Sequence, residues 1–217
     1  MINVVIVDDH DLVRTGIRHM LDSVSGIKVV GEASTGEEAM KVAKEKRPQV
    51  VLMDVKMPGI GGLEATRKLL RIDPEMKILI ITVYNDDLFP SRLLQAGASG
   101  YLTKGASMDE MVQAIRAVNA GQRYISPEIA KQLAFRHVSD TADSPFEILS
   151  ERELQVLIMI THGQKAQEIS ERLHLSPKTV NSYRYRIFEK LNVKNDVELT
   201  LLAIKHGLMQ SEDIRNP

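Results

Sequence analysis

The sequence contains no cysteine. That excludes disulfides, zinc–thiolate sites, iron–sulfur clusters and cysteine nucleophiles together. Only its own core can hold the fold. It also lacks an excess of charge, with 28 Lys plus Arg against 29 Asp plus Glu and a net charge of −1. A nucleic-acid binder usually shows a basic balance, so the whole-chain average argues mildly against one. No apolar run approaches the ~18 residues of a membrane-spanning helix. The start, Met1-Ile2-Asn3-Val4-Val5-Ile6-Val7-Asp8-Asp9, has no basic region and meets two acids after a short apolar run. A secretory signal needs the opposite, so a cytoplasmic protein is expected. What is present is ordinary for a globular chain: 217 residues, 43% apolar and 26% charged. That length fits one large domain or two small ones at ~100–200 residues each.

Short, wholly apolar runs recur at Val4–Val7, Val29–Val30, Val50–Met53 and Ile78–Ile81, with a weaker one at Tyr101–Leu102. Continuous rather than alternating apolarity marks strands buried on both faces, as in a parallel sheet. Helix-period segments lie between them, at Leu12–Leu21, Glu37–Lys46, Leu63–Ile72, Leu88–Ala96 and Met108–Ala120. Asp11 and Ser107 are candidate N-caps, and Gly97 and Gly121 candidate stops. Five strands alternating with five helices predict a doubly wound α/β domain over residues 1–121. The alternation then ends. Ser126-Pro127 predicts a short helix through about Phe135. The small, polar Arg136–Pro145 stretch reads as a linker, so residues 122–146 are assigned as linker with a short helix. From 147 to 217 the strand-like runs disappear. Helices are predicted at Glu151–His162, Gln164–Leu173, Pro177–Leu191 and Asp196–Lys205.

In a doubly wound sheet the working edge lies outside the carboxyl ends of the strands. Asp8 and Asp9 follow the first strand there, and Asp54 ends the third. Three carboxylates on one edge repel one another unless a cation sits among them, and oxygen ligands favour a hard ion such as Mg²⁺. A carboxylate beside that ion can accept a phosphoryl group. Thr82 ends the fourth strand and Lys104 follows the fifth, where a hydroxyl and an ammonium can hold phosphoryl oxygens.

This arrangement resembles the receiver domain of two-component response regulators. The stretch Asp54-Val55-Lys56-Met57-Pro58-Gly59-Ile60-Gly61-Gly62 is similar to the family's D-x-x-M-P-x-x-x-G. The resemblance implies a five-stranded parallel sheet in the order 2-1-3-4-5. It implies Asp54 as phosphoacceptor, Asp9 as a direct Mg²⁺ ligand and Asp8 as one acting through water. Asp54 itself and the Lys56 backbone carbonyl would complete the ligands. Thr82 and Lys104 would move to the phosphoryl group, and Tyr101 would follow Thr82 as a switch. Gly105 departs from the cis-proline common after the lysine.

The second module reads as a small all-α, four-helix domain. Leu175-Ser176-Pro177 is a turn with a good N-cap and a proline at the first helical position. On the following helix Val180, Ile187 and Leu191 share a core face, with Tyr183 at its edge. Lys178, Asn181, Ser182 and Tyr185 fall on or near the opposite face, flanked by Arg184 and Arg186. The first half of that face is where a recognition helix meets base edges. The segment resembles the LuxR/FixJ-type helix-turn-helix (the NarL/FixJ family). Its Thr179–Leu191 string looks closest to the GacA/UvrY-type global regulators. That resemblance implies a BarA/GacS-type sensor histidine kinase as partner and promoters of small regulatory RNAs as targets. DNA contacts would come from Lys165, Lys178, Thr179, Asn181, Ser182, Arg184, Tyr185, Arg186 and Lys190. Val197, Leu201 and Ile204 on the last helix form either a homodimer seam on DNA or part of the module's own core.

The expected function is therefore a phosphorylation-controlled, DNA-binding transcription regulator, not an enzyme. Two rivals stand beside it. One is an aspartyl-phosphate phosphotransferase, and the other a receiver whose helical output binds protein or RNA. The charge balance no longer opposes DNA. Lys178–Lys194 holds five basic residues against the single acid Glu189, so the near-zero net charge averages a basic helix with acids elsewhere.

Overall fold

The computed structural model describes residues 1–55, 57, 59–82, 89–131, 145–173, 175–206 and 208. Lys56, the residues around the start of the fourth predicted helix, most of the predicted linker and the last nine residues lie outside them. The chain divides into two compact units, Met1–Arg136 and His137–Pro217.

In the first unit β1 (Ile2–Val7), β2 (Ile27–Ala33), β3 (Val50–Asp54), β4 (Lys77–Thr82) and β5 (Gly100–Thr103) alternate with α1 (Asp11–Asp22), α2 (Gly36–Lys46), α3 (Gly61–Ile72), α4 (Phe89–Gln95) and α5 (Met108–Asn119). All pairings are parallel. The sheet order is β2-β1-β3-β4-β5-β6, the expected 2-1-3-4-5 order with one short strand added at the edge. The added strand, β6 (Tyr124–Ile125), has two residues and pairs with β5. Its register is set by Tyr124 N–H donating to the Ser99 carbonyl and Ser126 N–H to the Tyr101 carbonyl. A two-residue strand has no periodicity to read, and it falls in the segment assigned as linker.

The central strands are apolar throughout because helices cover both faces. Val4–Val7, Val50–Met53 and Ile78–Ile81 are all buried. Each such side chain contributes roughly 1.5–3 kcal/mol of transfer free energy. Ser107 caps α5 as expected, accepting from Glu110 N–H, and Gly97 and Gly121 adopt positive φ at helix ends. Asp11 does not cap α1. His10 holds that position, and Asp11 is the first helical residue, bonded to Arg14.

The second unit opens with a 3₁₀ turn (Pro145–Ile148), followed by α6 (Glu151–Thr161), α7 (Ala166–Arg172), α8 (Pro177–Leu191) and α9 (Asp196–Lys205). Phe146 is buried, edge-on to His206 at 6.1 Å between ring centroids. The end of the predicted linker is thus part of this unit's core. Ser150 and Glu153 form a capping box at α6, and Ser176 caps α8 ahead of Pro177. Among the described residues no helix is long and apolar enough to cross a membrane.

Candidate functional site

The carboxyl edge of the sheet brings together the residues that the strand ends predict. Asp8 follows β1 and is buried, Asp54 ends β3 and is buried, and Thr82 ends β4 and is buried. Lys104 follows β5, with its backbone N–H donating to the Thr82 carbonyl at 2.6 Å. Its ammonium lies 2.7 Å from Asp8 Oδ2 and 3.2 Å from Asp54 Oδ2. Tyr101, on β5, is fully buried. Donor atoms of Asp8, Asp9, His10 and Asp54 all fall within 4.8 Å of one another.

Electrostatics single out Asp54. Burial pushes its carboxyl up to about 6, against the pull of the Lys104 ammonium and with the help of the Asp8 charge. Among the described residues its Oδ2 has the Lys104 ammonium at 3.2 Å but no aligned hydrogen bond. Lys104 is raised: burial alone lowers it, but Asp8 and Asp54 outweigh that, so it stays charged. A buried carboxylate short of donors beside two further carboxylates is a donor set that suits a hard divalent cation.

Two loops carry these groups, and neighbouring helices fix both. Arg14 of α1 donates to the Asp8 carbonyl at 2.7 Å and pairs with Asp11 and with Glu32 of β2. Glu37 of α2 accepts from Ile60 N–H at 3.1 Å. It also occupies the space that a side chain at Gly59 (φ +80°) would need. Gly62 packs so closely on the Asp54 carbonyl and the Val55 backbone that a Cβ there would overlap them. This is the physical reason for the glycine that ends the Asp54–Gly62 motif. Nothing in the local sequence pattern marks Arg14 or Glu37 as supporting this site. Only His10 carried a signal, its adjacency to Asp8-Asp9.

In the helical unit α8 shows the predicted two faces. Val180 and Ile187 are buried, while Lys178, Ser182, Tyr185 and Arg186 are exposed. Thr179 and Asn181 are half-buried. Tyr185 is 71% exposed, unusual for so large an apolar body. Two of the predicted basic residues have partners within the unit. Arg184 pairs with Asp196 at 2.5 Å and lies over the Phe188 ring, 5.5 Å from its centre. Lys190 pairs with buried Glu153 at 2.6 Å. Lys165 is exposed at the start of α7. On α9 the core role falls to Leu199 and Ala203, whereas Val197 and Leu201 are 69% and 61% exposed. Ile204 is half-buried.

Residues 4–116 match the response regulator receiver domain, and residues 147–203 match the bacterial regulatory proteins of the luxR family. The chain belongs to the two-component response regulators with a LuxR-type DNA-binding domain. Proteins of this family are transcription regulators, not enzymes, and their receivers bind Mg²⁺ at an acidic pocket. The response regulator GacA of Pseudomonas protegens is 64% identical over 211 residues, 97% of this chain and 99% of the relative. The response regulator UvrY of Escherichia coli K12 is 58% identical over 215 residues, 99% of each. Among solved structures, RcsB of Salmonella enterica serovar Typhimurium, bound to promoter DNA with a phosphomimetic, superposes with a TM-score of 0.62. It is 25% identical and covers 93% of this chain and 97% of its own. This response regulator is thus a DNA-binding, two-component transcription regulator.

Proposed function

We propose that Asp54 is the phosphoacceptor. A carboxylate oxygen of Asp54 forms the new bond to phosphorus as the bond to the kinase's phosphohistidine nitrogen breaks. The observation that carries this reading is the buried, under-bonded Asp54 carboxylate beside Lys104 and the Asp8–Asp9 pair. Asp9, Asp54 and the Lys56 carbonyl would hold Mg²⁺ directly, with Asp8 acting through water. The ion would neutralise the incoming phosphoryl charge. The aspartyl phosphate adds about −1.5 to −2 charge with strong acceptors. Thr82 and Lys104 turn toward it, and Tyr101 follows the hydroxyl. The result is a population shift between two packings of this face.

In this reading residues 1–121 receive the signal, with β6 completing their sheet. Residues 122–146 connect, and 147–217 bind DNA. Phosphorylation frees the helical domain to dimerise on an inverted-repeat site. Exposed Val197 and Leu201, with Ile204 beside them, form the seam. Lys178, Thr179, Asn181, Ser182, Tyr185 and Arg186 face the bases. Lys165, Arg184 and Lys190 serve the phosphate backbone, the last two while retaining their partners Asp196 and Glu153. The similarity to GacA and UvrY supports a BarA/GacS-type histidine kinase, promoters of small regulatory RNAs as targets, and a cytoplasmic location.

Genome-wide DNA capture with wild type and Asp54→Ala tests this. Promoter enrichment should be lost in the variant. Equal enrichment at the same promoters would sink the proposal that phosphorylation at Asp54 controls binding.

A further inference from the structure

Helices α8 and α9 both pack on α6. The short turn between them starts at Asn192 (φ +52°) and ends at Asn195, which caps α9. A side-chain bridge spans that turn. Arg184 of α8 donates through Nη2 to Oδ2 of Asp196, the first residue of α9, at 2.5 Å. Arg184 stands on the flank of α8, beside the face that exposes Lys178, Ser182 and Tyr185. A carboxylate at this place repels the phosphates that such a basic face would meet, so its presence there calls for a role.

A guanidinium carries five N–H donors in a planar fork. Asp196 takes Nη2, and the Phe188 ring covers one face, its centre 5.5 Å from Arg184 Cζ. Nε of Arg184 and Oδ1 of Asp196 are buried without a hydrogen-bond partner among the described residues. Contact between those two atoms would complete a bidentate pair, so the free protein makes half of that fork. No described residue accepts from Nη1. The two side chains are still 37% and 41% exposed. With Nε buried and Nη2 committed, the Nη1 edge is the part left to meet an acceptor.

We infer that Asp196 is a positioning residue for DNA binding: with Phe188 it holds Arg184 so that the Nη1 edge meets a backbone phosphate of the duplex. The inference rests on the reading of α8 as the DNA-facing helix. A free arginine loses side-chain freedom when it binds phosphate, whereas one already tied to Asp196 and Phe188 has given up much of it beforehand. A phosphate on Nη1 also fixes the plane of the fork, which lets Nε close on Oδ1.

Binding of the full-length protein to a promoter duplex, with acetyl phosphate and MgCl₂ present and at several salt concentrations, tests it. The proteins are wild type, Arg184→Ala, Arg184→Lys, Asp196→Asn, the double variant of Arg184→Ala with Asp196→Asn, and Lys178→Ala. Asp196→Asn should lower affinity about 2–10-fold, the cost of ordering one long side chain, and keep the salt slope, because the arginine still reaches phosphate. Arg184→Ala should lower affinity and flatten the slope by about one unit. In that background Asp196→Asn should cost nothing more, since it acts only through the arginine. Arg184→Lys should keep the slope yet bind more weakly than wild type, because an ammonium lacks the planar fork. A loss of equal size from Asp196→Asn in both backgrounds marks a role in α9 alone and overturns the inference. So does tighter binding by Asp196→Asn, the sign of an acid that withholds Arg184 from DNA. If Arg184→Ala changes nothing while Lys178→Ala flattens the slope, the inference falls and the DNA-facing helix stands. If neither has an effect, or wild type binds no duplex, both fall together.

Discussion

Each unit of the chain buries a carboxylate beside a lysine, and the two behave oppositely. Asp54 and Glu153 are both 3% exposed. Burial raises Asp54 to about 6. Burial also pushes Glu153 upward, but the hydrogen bonds from Lys190 and Ser150 outweigh it and hold it below its ordinary value. The difference lies in the donors. Glu153 Oε2 accepts Lys190 Nζ at 2.6 Å and Ser150 N–H at 2.7 Å, inside a capping box. Asp54 shares Lys104 with Asp8, at 3.2 Å against 2.7 Å, and faces that like charge as well. A satisfied buried carboxylate is architecture. An unsatisfied one stores unfavourable energy that a cation and a phosphoryl group can relieve.

The same amide substitution should therefore have opposite effects at the two positions. The largest effect is on phosphorylation. Asp54→Asn should reduce labelling by a small phosphodonor to background, whereas Glu153→Gln should leave it at the wild-type level. Stability comes next. Asp54→Asn should stabilise the metal-free receiver by about 2 kcal/mol at pH 7.5, because a pKa displaced upward marks a penalty for the ionised form. Glu153→Gln should destabilise the helical unit by about 2 kcal/mol through the lost charged hydrogen bond. Denaturant unfolding of each variant checks both signs.

The pH dependence should divide in the same way. Asp54 has its folded value above the ordinary 3.8. In the metal-free protein its stabilising contribution is full below 3.8 and lost as pH rises through about 6. Glu153 has its folded value below the ordinary 4.5. Its contribution is full above 4.5 and lost as pH falls through the folded value. Acidification through pH 6 should thus favour the receiver through Asp54, and acidification below 4.5 should weaken the helical unit through Glu153. Amide exchange resolved by segment measures this, and parallel losses in both units would break the contrast.

Much of this was legible in the sequence, for a physical reason. Strands covered on both faces must be apolar throughout, so β1, β3 and β4 announced themselves, and their ends located Asp8, Asp54 and Thr82. Features set by long-range packing were not legible. The two-residue β6 has no period. Glu153 looked like any acid in a first helical turn, and only Lys190, 37 residues away, makes it a buried pair. Arg184 flanks the DNA-facing side of the wheel, and its partner Asp196, 12 residues on, gives no periodic signal. The wheel also could not separate a core role from a seam role for Val197 and Leu201, which the structure leaves exposed.

The smallest effects test the helical surface. Val197→Asp should change stability by less than about 0.5 kcal/mol, as an exposed position allows, while weakening dimeric DNA binding in a gel-shift titration. Lys178→Ala should flatten the salt dependence of binding by about one unit of logarithmic slope. An unchanged slope would remove Lys178 from the interface.

The most direct test of the central claim is the intact mass of wild type, Asp54→Asn and Glu153→Gln after incubation with acetyl phosphate and MgCl₂. Wild type and Glu153→Gln should each gain the mass of one phosphoryl group, and Asp54→Asn none. The same gain in Asp54→Asn would contradict the assignment of the under-bonded carboxylate as the phosphoacceptor.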